Sequence, residues 1–239
     1  MTLLDEVIEA HGGRKRWGRA SEVRAQVRSG GLLMRSKGQG GCFKDYALSI
    51  DTRAPNAVFE PYPRSGSTGE FAGDTVRILD AEGGVESERE NPREAFSSFR
   101  RNLRWDHLDA LYFAGYAMWN YLTIPFLFEW DGFEVAEGEP LDTGSESWRR
   151  LDVRFPEGFP THCREQCFYF DAQGLLRRHD YTPEVVASFA NAAHMVSGHR
   201  QVDGLVFGTH RQVLPKAPGG RPLPGPTVVW IDLDSVAVS

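Results

Sequence analysis

The stretch "YFDAQGLLRRHDYTPEVV", Tyr169 to Val186, decides how the chain is read. An aromatic run stops at Asp171, turns at Gly174 and resumes with Leu175 and Leu176. A tight turn between two such runs is what an antiparallel hairpin requires. The second run packs two arginines, a histidine, an aspartate and a tyrosine into five positions. In a regular strand, Leu175, Arg177, His179 and Tyr181 share one face, and Leu176, Arg178 and Asp180 share the other. His179 and Asp180 then point apart and form no dyad, unless a bulge re-aims one of them. His179 and Tyr181 can still line an interior together.

The same punctuation recurs on both sides. Val23, Ala25 and Val27 alternate with Arg24, Gln26 and Arg28, the pattern of a half-buried strand. Further candidate strands cover 44–51, 56–62, 69–71, 74–80 and 85–89. After a helical middle they resume at 126–138, 148–155, 161–171, 175–181, 193–202, 205–214 and 227–238. Thr2 with Asp5 three residues on can cap a first helix whose apolar face is Leu3, Leu4, Val7 and Ile8, and Gly12-Gly13 ends it. Asn91-Pro92 opens a second helical region. The strongest helical pattern is Leu108, Leu111, Tyr112, Gly115, Met118, Trp119 and Leu122, one apolar stripe that stops before Pro125. The turn spacing predicts about eleven antiparallel strands or more. A sheet that large curls. The expected architecture is a single α+β domain over residues 1–239, a strongly curved half-barrel sheet with helices covering its concave face.

The composition, 41% hydrophobic and 25% charged, is that of a globular chain. Lys plus Arg is 27 against 33 for Asp plus Glu, a net charge of −6, which disfavours nucleic acid as a partner. Three cysteines, an odd number, argue against a disulfide framework. The opening "MTLLDEVIEAHGG" lacks the basic and apolar regions of a signal peptide, so the expected compartment is the cytoplasm. Residues 108–128 are long enough to span a bilayer, but Asp109 and Asn120 interrupt them, so a buried helix and no integral membrane span is expected.

Several segments resemble one family. "IEAHGGRKRWGRASEVRAQVRSGG" (residues 8–31) is similar to the start of the bacterial LolA/LolB-like lipoprotein-carrier superfamily, with a helix, Gly-Gly, a short turn and a first long strand. "YFDAQGLLRRHDY", "VDGLVFGTHRQV" (residues 202–213) and "EWDGFEV" (residues 129–135) resemble its hairpins. The combination most resembles a cytoplasmic branch without a signal peptide. The resemblance implies an open, curved sheet whose concave side, partly covered by helices, holds acyl chains or other greasy ligands.

Against that frame the chemistry is sparse. No nucleophile elbow, phosphate loop or dinucleotide fingerprint is present, and no cofactor is expected. "GGLLMRSKGQGG" (residues 30–41) leads from strand to strand and reads as a flexible hairpin. Cys163 and Cys167, four apart in an extended strand, share a face about 13 Å apart, too far for one metal or a disulfide. Neighbouring strands can bring His179, His194 and His210 together, although a one-residue slip moves any of them to the other face. Metal-ligand spacing is absent, so no metal site is expected. Ten aromatic residues between Trp105 and Phe133 exceed what one helix face needs.

The expected function is binding of a hydrophobic small molecule, such as a lipid, acyl chain or polyketide-like compound, between sheet and helices. Tyr112, Tyr116, Trp119, Asn120 and Tyr121 are the candidate ligand-binding residues. The alternative is a cofactor-free isomerase, cyclase or hydrolase in the same cavity, with His179, Tyr181, His194 and His210 as candidate acid–base groups.

Overall fold

A computed structural model of the chain describes residues 1–97 and 103–239. Its strands are β1 (Glu22–Gly30), β2 (Asp45–Asp51), β3 (Asn56–Glu60), β4 (Thr68–Ala72), β5 (Thr75–Leu79), β6 (Val85–Glu90), β7 (Glu134–Asp142), β8 (Ser147–Arg154), β9 (Glu165–Phe170), β10 (Leu176–Tyr181), β11 (Ala192–Val202), β12 (Leu205–Pro215) and β13 (Val229–Val238). The helices are α1 (Leu3–Ala10), α2 (Arg14–Trp17), α3 (Leu32–Ser36) and α4 (His107–Thr123).

All thirteen strands form one antiparallel sheet, ordered β6-β5-β4-β3-β2-β1-β13-β12-β11-β10-β9-β8-β7. The chain meanders outward from β1 to one edge at β6, crosses the molecule through α4, and meanders back from the other edge until β13 pairs with β1. The edges do not meet, so the sheet stays open. Both edge strands, "VESERE" and "EVAEGEPLD", are rich in charge and β7 contains Pro140, which suppresses pairing with another sheet. The strand count is thirteen rather than about eleven, because nearly every turn-bounded segment pairs.

One helix shows that the sheet curls. On one side Gly115 of α4 meets β4 so closely that a Cβ there would lie 2.4 Å from the Cβ of Phe71. On another, the ring of Tyr121 lies 4.6 Å from that of His194 on β11. Every residue of α4 after His107 is buried. The expected single apolar stripe is therefore corrected: α4 runs inside the half-barrel and is apolar all round, as a helix enclosed on all sides must be. Its one buried carboxylate, Asp109, belongs to a capping box with Asp106 and pairs with Arg89 at 2.7 Å. At one end of the sheet, α1 starts with the expected Thr2–Asp5 capping box and buries Leu3, Val7 and Ile8. Gly12 and Gly174, both at positive φ, allow close approaches around α1: a side chain at Gly12 would strike the Gly204 carbonyl in the β11–β12 turn, and one at Gly174 in the β9–β10 turn would lie 2.9 Å from the Cβ of Ala10.

Three further expectations change. Residues 126–129 form a short 3-10 helix instead of opening a strand, and Phe126, Leu127 and Phe128 are all buried, leaving no alternation for a pleat. Residues 31–44 are not a hairpin but a lid. It contains α3, buries Leu33 and Phe43, and is tied to the start of α4 by Gln39, which donates to the Trp105 carbonyl at 2.7 Å. Cys163 precedes β9, bonding the Glu165 carbonyl at 3.1 Å, while Cys167 bonds Asp152 at 3.1 Å, so the two thiols do not share a strand face.

Candidate functional site

The β9–β10 hairpin forms as expected, with one irregularity. Leu176 pairs with Phe170 and Arg178 with Tyr169, so Arg177 is the extra residue of a bulge. The bulge brings Leu176 into the core and leaves Arg177 only partly buried beside Asp171, at 3.8 Å. Beyond it the alternation is regular. Arg178 and Asp180 face outward and hold each other through two bonds of 2.6 and 2.7 Å. Lys216 adds 3.0 Å to Asp180, and the Gly220 carbonyl accepts from Arg178, so the proline-rich loop after β12 covers this pair. His179 and Tyr181 face inward.

Register completes the inner group. His179 of β10 stands directly opposite His194 of β11. The loop before β9 contributes His162, whose ring stacks on Tyr181 at 3.9 Å. His162 is hydrogen-bonded at Nδ1 to the Tyr116 hydroxyl (3.0 Å) and at Nε2 to the Tyr121 hydroxyl (2.7 Å). The Tyr121 hydroxyl also meets that of Tyr181 at 3.1 Å. Four side chains thus form one chain of bonds, Tyr116–His162–Tyr121–Tyr181. His162 was not among the sequence candidates: the strand expected over 161–171 begins only at Glu165, and His162 sits buried in the loop before it.

The remaining polar groups each have a physical reason for their state. Gln166 donates to Thr161 and to the Cys163 carbonyl, so its Oε1 accepts and His179 must donate from Nε2, at 2.6 Å. Its ring is stacked between Phe168, at 4.2 Å, and His194, at 5.9 Å. His194 is fully buried and neither of its nitrogens has a hydrogen-bond partner. Arg211 of β12 donates from Nη2 to the carbonyl of Tyr121 at 2.9 Å. It thereby caps the last turn of α4 and places its charge at the negative end of the helix dipole.

Burial sets the titration of the group. Loss of solvation lowers His162 to about 3 and pushes His179 and His194 well below the usual imidazole value, with neighbouring cationic groups adding to the effect. The same cause raises Tyr121 to about 12 and Tyr181 well above the ordinary phenol. Arg211 is lowered to about 10 and keeps its charge at neutral pH. At pH 7 the cluster is therefore neutral imidazoles and neutral phenols with one buried guanidinium behind them.

Tyr121 and Tyr181 are also a wall of the principal cavity, about 300 Å³, whose other walls include Phe43, Tyr46, Phe113, Ala117 and Met118. A second cavity of about 270 Å³ shares Phe113, Tyr181, Val213 and Val229 with the first and has Phe189, 85% exposed, at its rim. The lid closes over the first cavity through Met34 and Phe43. The histidines lie behind the two tyrosines, one side-chain layer from the open space.

The sequence candidates divide accordingly. His179, His194 and Tyr181 come together. His210 does not: it faces outward, its side chain 55% exposed, bonded to Asp232 at 2.5 Å. Its place in β12, one residue before inward-facing Arg211, puts it on the other side of the pleat. Among the ligand-binding candidates, only Tyr121 lines the principal cavity. Trp119 donates to the Asp51 carbonyl at 2.7 Å, and Asn120 donates to the carbonyls of Tyr116 and Pro160 while its buried Oδ1 has no partner among the described residues, so neither side chain faces the principal cavity. Tyr116 sits deeper in the bonded chain, and Tyr112 lines a separate surface hollow with Arg93. Among the described residues no group of three or more His, Cys, Asp or Glu side chains is placed to hold a metal ion.

The fold has solved counterparts. A LolA superfamily protein from Nitrosomonas europaea matches with a TM-score of 0.56 at 9% identity, over 100% of this chain and 94% of that one. The fold is LolA-like. A putative outer membrane lipoprotein-sorting protein domain from Vibrio parahaemolyticus (TM-score 0.55, 10% identity, 99% of this chain and 91% of that one) and a DUF1329 family protein from Desulfovibrio piger (0.53, 12%, 99% and 92%) share it. No protein-family model matches the sequence, and no curated protein matches it. Within the LolA-like frame the residues that face the cavity, such as Met34, Phe43, Tyr46, Ala117 and Met118, lie largely outside the sequence candidates. Their signal was weak because the lid reads as turn and α4 shows no polar face to orient it. No helix among the described residues is long and apolar enough to cross a membrane.

Proposed function

We propose that the protein is a container for a hydrophobic small molecule, held between α4, the lid and strands β1, β12 and β13. The observation that carries this reading is the cavity itself. A pocket of about 300 Å³, partly open to solvent, reaches in beside Phe113, Met118 and Ile231, and a second of about 270 Å³ adjoins it; both are walled mainly by apolar side chains. Spaces of this size and apolar lining fall at the small end of ligand pockets. The LolA-like fold supports the reading, since one solved protein sharing it is described as lipoprotein-sorting. Native mass spectrometry of freshly purified protein, followed by denaturing extraction, tests it. The expected result is excess mass released as an apolar compound. Clean apo mass, together with failure to take up any apolar probe, would contradict it.

A second reading rests on the bonded chain Tyr116–His162–Tyr121–Tyr181. When His162 donates from Nε2, Tyr121 can donate to Tyr181, and the Tyr181 hydroxyl is left to donate to a carbonyl oxygen in the cavity. His194, with no hydrogen-bond partner among the described residues, lies one side-chain layer behind the tyrosines, so the Tyr181 hydroxyl is the polar group of the chain that reaches the ligand. Polarisation of a carbonyl by that hydroxyl is what supports a cofactor-free isomerase of an apolar carbonyl compound. The test is deuterium uptake into an apolar ketone in heavy water. Wild-type protein should exceed the uncatalysed rate and Tyr181→Phe should not; no excess in the wild type would end this reading.

A further inference from the structure

We propose that the ligand of the cavity is an amphiphile with an anionic head, its chain inside and its head at Arg35 and Lys44 on the lid. This rests on the container reading and names the class of molecule it takes. The first observation is the sign of the charge around the opening. The wall of the principal cavity contains two cations, Arg35 and Lys44, and no aspartate or glutamate. The adjoining cavity likewise has Lys216 and no acid in its lining. Yet acids outnumber bases in the chain, 33 to 27. Two pocket linings that hold bases and no acid run against the charge balance of the chain.

The second observation is that these two cations are not used elsewhere. Several surface arginines sit against carboxylates, as in Arg28–Asp234 at 2.6 Å, Arg64–Glu86 at 2.6 Å and Arg149–Glu6 at 2.5 Å, whereas others, such as Arg53 and Arg200, donate to backbone carbonyls. Lys216 is committed to Asp180 at 3.0 Å. Arg35 and Lys44 have no ion-pair partner among the described residues. Both are exposed at the lid, while the residues beside them in sequence, Met34 and Phe43, turn into the cavity.

The lid also holds Arg35 in place. Gly40 leaves room for it: a Cβ at Gly40 would lie 2.9 Å from the Cγ of Arg35. The lid is fixed at both ends, by the Leu33 amide on the Val228 carbonyl (3.0 Å) and by the Gln39 amide side chain on the Trp105 carbonyl (2.7 Å). The cations are thus carried by a positioned segment at the boundary between apolar interior and water. That is the geometry an amphiphile needs, with its chain leaving water and its head keeping it. Exposed ion pairs are individually weak and are screened by salt, so two of them account for about a tenfold preference at low ionic strength.

The test is displacement of an uncharged apolar fluorescent probe by dodecanoate and by methyl dodecanoate, at low and at physiological salt. It is run on the wild type and on the Arg35→Gln/Lys44→Gln variant, with thermal unfolding confirming that the variant folds. Dodecanoate is expected to bind about tenfold more tightly than the ester to the wild type, less so in higher salt, with a ratio near one in the variant. Equal affinities in the wild type, or a preference that survives in the variant, would overturn the head-group assignment while leaving the container intact. If the probe binds but neither compound displaces it, the head-group assignment fails; if the probe itself does not bind the wild type, the container reading fails with it.

Discussion

At the scale of single residues, burial decides which contacts matter. The outward pair Arg178–Asp180 is only 5% and 4% exposed, whereas Arg28–Asp234 is 50% and 41% exposed. Asp180→Ala strands a buried guanidinium and is expected to cost about 3–5 kcal/mol, while Asp234→Ala should cost no more than about 1 kcal/mol. Urea titration of both variants checks the contrast, and similar costs would contradict it. Gly115 sets two effects against each other. Alanine gains about 1 kcal/mol in helix propensity, but its Cβ would stand 2.4 Å from the Cβ of Phe71. Overpacking of that kind costs about 1–3 kcal/mol, so Gly115→Ala should lower the urea midpoint; a rise would show that β4 yields at no cost. The pleat made the separation of His179 from Asp180 legible in the sequence. The positions of Leu176 and Arg177 were not, because a bulge leaves no mark in the spacing. Nor was the outward position of His210, which depends on the register between β11 and β12.

At the scale of elements, local signals read best where they need no partner. The Thr2–Asp5 box at α1 is visible in four residues, and Asp106–Asp109 at α4 uses the same chemistry. Asp106→Ala should destabilise the protein by about 0.5–2 kcal/mol through loss of the cap, measurable as a lower unfolding temperature. No change would mean that packing alone sets the start of α4. Elements whose form depends on what surrounds them were harder to read. The aromatic density of α4 announces a buried helix, but not that it is enclosed on every side, since that follows from the crossing between two distant sheet edges. The lid at residues 31–44 has turn-forming glycines on a segment whose shape is fixed by contacts with β13 and Trp105, both far away in sequence.

At the scale of the whole molecule, three histidines of the inner cluster and His11 are buried in neutral form. Desolvation holds His11 near 4 and His162 near 3, with His179 and His194 also well below the unfolded value. Their folded values are depressed, so the unfolded chain binds more protons below about pH 6.5. Stability is therefore complete above that pH and falls as pH drops toward 4, by roughly 1.4 kcal/mol per pH unit for each such histidine. Unfolding followed from pH 8 to pH 4 should show this acid loss, and a flat profile would mean that the imidazoles are solvated. The curved sheet and its central helix were readable from turn spacing and the aromatic run. The open interior was not, because a filled core and a hollow one use the same residue types. The measurement that tests the central claim most directly is therefore titration with an uncharged apolar fluorescent probe, wild type against Ala117→Trp, which fills the cavity beside Met118. Saturable binding in the wild type, abolished in a variant that unfolds at the same or a higher temperature, is the predicted result. No binding in the wild type, or binding that survives in the filled variant, would contradict it.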